Sequence, residues 1–116
     1  MGILVIRKKV KPEQLREMLE YHGVANYVKC AIDIENGFLA GGGDAHADCE
    51  EVMLELGSLQ ENIWGSGWNF KTQEVKYDSL INIRPRQNNR VHELQDPKLR
   101  ERIKEIITGF FEGVQP

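Results

Sequence analysis

The chain has 116 residues and a net charge of −3, with 41% apolar and 28% charged residues. That length suits one domain over 1–116 with a single sizeable core, and the composition is that of a globular protein. The acidic balance supplies no overall attraction to nucleic acid or an anionic membrane, though a local basic patch stays open, and two cysteines are too few for a disulfide framework.

Ile3 to Ile6 is a continuous apolar run, as in a strand buried on both faces. Followed at once by Arg7, Lys8 and Lys9, it is too short for a signal peptide or membrane span, which places the protein in the cytoplasm. Pro12 opens a predicted helix over 12–22, with Leu15, Met18, Leu19 and His22 at helical spacing and Gly23 as the stop. Val28, Cys30, Ile32 and Ile34 alternate with Lys29, Ala31, Asp33 and Glu35, so the next element is a strand with one wet face. Cys30 and Cys49 both fall inside apolar patterns and read as buried free thiols. Asn36-Gly37 signals a type I′ hairpin, with Phe38 to Ala40 as the return strand. The first strand, helix and second strand can form a βαβ unit with a right-handed crossover.

Gly41-Gly42-Gly43 ends that strand. Asp48, with Glu51 three residues on, caps a helix whose apolar face is Cys49, Val52, Met53 and Leu56 and whose end is Gly57. Residues 61–70 hold Ile63, Trp64, Trp68 and Phe70, interrupted by Gly65-Ser66-Gly67, the mark of an irregular or bulged strand. Val75, Tyr77, Ser79, Ile81 and Ile83 alternate with polar neighbours up to Pro85, predicting a strand over 75–84. After a polar loop over 86–95, Asp96 caps and Pro97 starts a last helix buried along Leu99, Ile103, Ile106, Ile107 and Phe110. The expectation is an α+β domain in the order β-α-β-β-α-β-β-α, with three helices on one face of a mixed, mostly antiparallel sheet of about five strands.

Three polar clusters lie outside the apolar patterns: Asp44, His46 and Asp48; Ser58-Leu59-Gln60-Glu61-Asn62, with Gln60, Glu61 and Asn62 as its site candidates; and Asn82, Arg84, Arg86, Asn89 and Arg90. If 61–70 and 75–84 pair, the second and third meet, and the first joins them where the glycine loop turns that way. The preferred reading is a binding module for a small anionic or nucleotide-like ligand, or for a protein partner, with a homo-oligomer expected. Arg84, Arg86 and Arg90 would hold an anion by bidentate forks, because GGGD matches no Walker or Rossmann fingerprint and leaves any cofactor open. A second reading is a hydrolase or nuclease acting on a phosphoester, with His46 as base, Glu61 as its partner and Arg84 stabilising the developing charge. A third sets a divalent metal on Asp44, His46 and Asp48, for which no second histidine is near in sequence. A fourth is structural: Arg84 pairs with Glu61 or Asp78, Asn62 bonds Asn82 across strands, and the indoles Trp64 and Trp68 serve as core or as a self-association surface.

Asp33-Ile34-Glu35 with Gly37, then Gly42-Gly43, His46-Ala47-Asp48, Gly57-Ser58, Gln60-Glu61-Asn62 and Trp64-Gly65 form one set of motifs. Asp78 to Pro85, Asn89-Arg90 and Asp96-Pro97 form another. Together they resemble a family of small prokaryotic proteins of unknown function over nearly the whole chain. The resemblance implies a cytosolic standalone domain and assigns no catalytic residues. The chain departs from it at Gly65-Ser66-Gly67-Trp68 and at Asn88, where a glycine is expected.

Overall fold

The computed structural model describes residues 2–19 and 26–116. Its elements are β1 (Leu4–Ile6), α1 (Pro12–Leu19), β2 (Tyr27–Asp33), β3 (Phe38–Gly41), α2 (His46–Glu55), β4 (Ile63–Asn69), β5 (Glu74–Lys76) and α3 (Pro97–Phe111), in the expected order. The helix end expected at His22 and Gly23 lies outside the described residues. The five strands form one sheet in the order β1-β3-β2-β4-β5, and every pairing is antiparallel. β1 and β2 do run parallel, but β3 lies between them and bonds to both, so they form no simple βαβ unit. The short connection after β2 brings β3 back beside it first, which occupies the edge that β1 would have needed.

The helices cover both faces rather than one. Strand alternation sends Val28, Cys30 and Ile32 of β2, with Leu39, Trp64 and Trp68, toward Leu15 and Met18 of α1 and Ile103, Ile107 and Phe111 of α3. The opposite set, Ala31, Phe38, Ala40 and Ile63, packs on Cys49 and Met53 of α2. Ala31 and Ala40 face each other across the β2–β3 ladder, and their small side chains leave room for α2. What reads as a wet face of β2 is therefore a second, smaller core. Each large aliphatic or aromatic side chain so buried contributes about 1.5–3 kcal/mol. Trp64 and Trp68 are 4% and 0% exposed, so neither indole forms a surface for self-association. In α3, Phe111 reaches the core fully where Phe110 only flanks it.

Two hairpins use one turn. Asp33 accepts from the backbone N–H groups of Glu35 and Asn36, its carbonyl accepts from Gly37 N, and Gly37 takes φ +70°. Asn69 does the same for Lys71 and Thr72, with Gln73 N on its carbonyl and Gln73 at φ +61°. The Asn36-Gly37 pair thus closes a hairpin, but not as type I′. Asn36 has no positive φ, because the Asp33 carboxylate organises a four-residue turn with one left-handed position. β4 is not bulged either. Its seven residues pair without a break from Tyr27↔Asn69 to Asp33↔Ile63.

The glycine run answers to packing. A Cβ on Gly42 (φ +107°) would lie 2.0 Å from the Gly2 carbonyl oxygen, so the segment before β1 fills the space beside it. Gly42 N donates to Lys29 O, which removes it from any phosphate cradle.

Candidate functional site

The predicted strand over 75–84 stops at Lys76, and the cause lies in β4. Gly65 and Gly67 leave the α2 side of that strand bare. The Tyr27 ring lies over Gly67, and Ser79 and Ile81 lie over Gly65, where a Cβ would meet the Ser79 Cβ at 2.5 Å. The chain crosses that bare surface instead of pairing along it, forming short 3-10 turns at Leu80–Asn82 and Pro85–Gln87. Asn82 replaces the missing strand partner. Its side-chain oxygen accepts from Gly65 N (2.8 Å) and its amide donates to Gly65 O (2.9 Å), as a neighbouring backbone would. Asn89 is buried as well, donating to the carbonyls of Asn82, Val91 and Glu93 and accepting from Gln95 N. Both asparagines hold the loop together. Asn88 adopts φ +62° between them, the left-handed position for which glycine was expected and which asparagine tolerates better than most residues.

Clusters two and three do meet, at Arg84. Its Nε donates to Ile81 O (2.9 Å), one terminal nitrogen to Gln60 O (2.8 Å) and Gln87 Oε1 (3.3 Å), the other to Ile63 O (2.5 Å) and Glu50 Oε2 (3.3 Å). A guanidinium has five N–H groups, and all five are engaged. Its plane also lies over Trp64, 4.4 Å from the ring centre. The ion pair is to Glu50, not Glu61 or Asp78, and the two side chains are 10% and 14% exposed. Burial depresses the Arg84 pKa against the pull of Glu50. Gln87 adds a bond to Glu61 O. Asn62 reaches Ile34 through its carbonyl, not Asn82. Arg86 and Arg90 are exposed, and among the described residues neither meets a carboxylate.

Cluster one lies on α2. That helix starts three residues earlier than expected, with Ala45 at its N-cap and no side-chain cap, so Asp48 sits in the first turn where it complements the helix dipole. His46 Nε2 lies 2.8 Å from Ser66 O. A carbonyl can only accept, so Nε2 carries the hydrogen and Nδ1 is bare in the neutral ring. Burial lowers the His46 pKa, aided by Lys29, while the Ser66 carbonyl and Asp78 oppose the fall. His46 and Asp44 line a cavity of about 280 Å³ with Lys29, Ser79, Leu80 and Ile81. Asp44 also borders a separate acidic groove, which it shares with Asp48, Glu51 and Glu55 and not with His46. Among the described residues no set of three metal-binding side chains converges. Burial raises both thiols, Cys49 to about 12, which leaves them unreactive.

Glu61 belongs to another cavity, a cleft of about 430 Å³ between the first turns of α3 and the 84–89 turn. Ile34, Trp64 and Leu99 are its apolar walls, and Gln87, Lys98 and Arg102 add polar groups. His46 and Glu61 thus share no cavity, and Arg84 has no fork to offer a transition state. Sequence reasoning overlooked Lys98 and Arg102. The signal was their i, i+4 spacing on either side of Leu99, at the edge of the buried stripe of α3. Arg102 Nε donates to Ile34 O at 3.0 Å, and among the described residues its two terminal nitrogens meet no acceptor.

No helix of the described residues is long and apolar enough to cross a membrane. No curated protein and no solved structure matches the chain. The model of one family, described as proteins of unknown function, matches residues 4–110, so the chain belongs to the family DUF5674.

Proposed function

We propose that this protein is a binding module whose ligand seat is the cleft between α3 and the 84–89 turn. One observation carries the reading: Arg102 is anchored by Nε on the Ile34 carbonyl while, among the described residues, its terminal nitrogens meet no acceptor, beside Lys98 and against apolar walls. An anchored guanidinium of that kind is preorganised for a carboxylate or phosphate, and a mostly apolar wall with a few polar groups is the usual make-up of a small-molecule site. Glu61 and Asp96 line the same cleft and balance its two cations. That balance favours a ligand with a single acidic group and an apolar or planar body over a polyphosphate. A cytoplasmic setting agrees with two buried free thiols.

The test is thermal shift together with tryptophan fluorescence, using a panel of carboxylates, phosphate monoesters and nucleoside triphosphates. A ligand at 100 times its dissociation constant adds about 2.7 kcal/mol. A monoanion should raise the melting temperature and perturb Trp64, and Arg102→Met should abolish both effects. A panel without any shift, or a shift that survives Arg102→Met, refutes the reading.

A further inference from the structure

Lys29 comes two residues before Ala31 in β2 and so lies on the same side of the sheet, the side that α2 covers. It reaches the cavity of about 280 Å³ that also takes in residues 44–47 and Ser79, Leu80 and Ile81. Its Nζ donates to the Asp44 carbonyl at 2.5 Å. An ammonium has three N–H groups, so two stay open. Among the described residues no carboxylate pairs with it. A charge partly withdrawn from water is normally paired, so a half-buried ammonium without a counter-ion calls for an anion.

Two more polar groups line this cavity, and they say which anion. His46 has its Nε2–H on the Ser66 carbonyl, so the polar atom it has left to offer is Nδ1, an acceptor in the neutral ring. Ser79 is buried, and its Oγ accepts from Ile81 N at 3.2 Å; among the described residues its hydroxyl hydrogen has no acceptor. The nearby acids, Asp44 on the wall and Asp78 beside Ser79, are exposed, so water screens them more than it screens Lys29. The cavity thus combines donors around a positive charge with one acceptor. A carboxylate or sulfate can only accept and leaves Nδ1 without a hydrogen. Hydrogen phosphate both accepts, through its charged oxygens, and donates, through its P–OH. At about 280 Å³ the space falls below the roughly 300–1,000 Å³ of clefts for drug-sized ligands, which excludes a nucleotide. No residue is shared with the α3 cleft.

We propose that the cavity at the start of α2 is a second binding site, for inorganic phosphate as the hydrogen-phosphate ion, held through its charged oxygens by Lys29 and Ser79 and through its P–OH by His46 Nδ1. NMR titration of the full chain at about pH 8, where His46 is neutral, tests it. Phosphate should give saturable shifts at residues 29, 44–47 and 79–81, with a dissociation constant of about 1 mM or lower. The imidazole nitrogen shifts should show a ring that stays neutral, with its hydrogen on Nε2. Sulfate has no hydrogen to give at that pH, and methyl phosphate loses its own at about pH 6, so both should bind at least about tenfold more weakly. Lys29→Met, which keeps the apolar stem, should weaken phosphate binding about tenfold or more, and Arg102→Met should leave it unchanged. Sulfate or methyl phosphate binding as tightly as phosphate overturns the proposal without any variant. So do shifts confined to the α3 cleft, binding that survives Lys29→Met, or the lack of a saturable shift up to about 50 mM phosphate.

Discussion

Arg84→Ala is the most informative single change. The substitution removes a guanidinium whose five N–H groups all have acceptors and whose side chain is 10% exposed. Three of the acceptors are backbone carbonyls, at Gln60, Ile63 and Ile81, and a fourth is the Glu50 carboxylate, itself 14% exposed. Hydrogen bonds to a charged group contribute about 1.5–3 kcal/mol each. Their simple sum overstates the loss, since water entering the gap satisfies part of what is left. The measured range for removing one partner of a buried ionic network, about 3–5 kcal/mol, is the better guide. For a chain of 116 residues that corresponds to a fall in melting temperature of roughly 10–20 °C. The loss should be local as well as global. Hydrogen exchange should show residues 80–91 opening first, because Arg84 fastens that loop to α2 and to the start of β4. Glu50→Gln, which keeps an acceptor at the same place, should cost only about 1 kcal/mol. A loss below about 1 kcal/mol for Arg84→Ala, or unchanged protection over 80–91, would refute Arg84 as the fastening of this loop.

Acidification should destabilise the protein in two windows. The folded pKa of His46 lies below the ordinary 6.5, so the unfolded chain takes up the proton first. Stability held above that pH falls as pH drops through it and levels off below the folded value; urea midpoints against pH should show the step, and His46→Gln should remove it. For Asp33, burial raises the carboxyl but bonds from Ser58, the Asn36 side chain and two backbone N–H groups outweigh it, holding it below 3.8. Its contribution is present above 3.8 and is lost as pH falls through the lower folded value, so Asp33→Asn should flatten that acid limb. Asn88→Gly should be neutral or slightly stabilising in urea melts, while Asn88→Ala should cost about 1 kcal/mol for its left-handed backbone. Gly42→Ala sets a methyl 2.0 Å from the Gly2 carbonyl and should displace the segment before β1, visible as lost exchange protection in β1 and β3.

Where periodicity was long and local, it could be read directly. The α3 helix with its Asp96 cap and Pro97 start forms as expected, and Lys98 N donates to Asp96 Oδ1 at 2.9 Å. Gly57 takes the left-handed position at the end of α2, at φ +97°. The 75–84 run misled because alternation is compatible with a strand without guaranteeing it an edge to pair with. Two glycines in a different strand offered a surface to cross, and one asparagine amide could stand in for the ladder. Asp33 misled for a similar reason. A carboxylate in an alternating pattern reads as solvent-facing, and its burial depends on donors from the following turn and from Ser58, twenty-five residues on.

The order of the helices and strands and the Asp96 cap of α3 were determined by the amino-acid sequence alone, because they rest on contacts within a few residues along the chain. Which cations stay free was decided only by the tertiary structure. Arg84 finds acceptors on its own loop, on α2 and on the segment leading into β4 and is used up, whereas Arg102, among the described residues, finds one and keeps the rest of its fork open. An arginine's chemistry depends on how many of its five N–H groups the fold has already satisfied, and that number is set by neighbours distant in sequence.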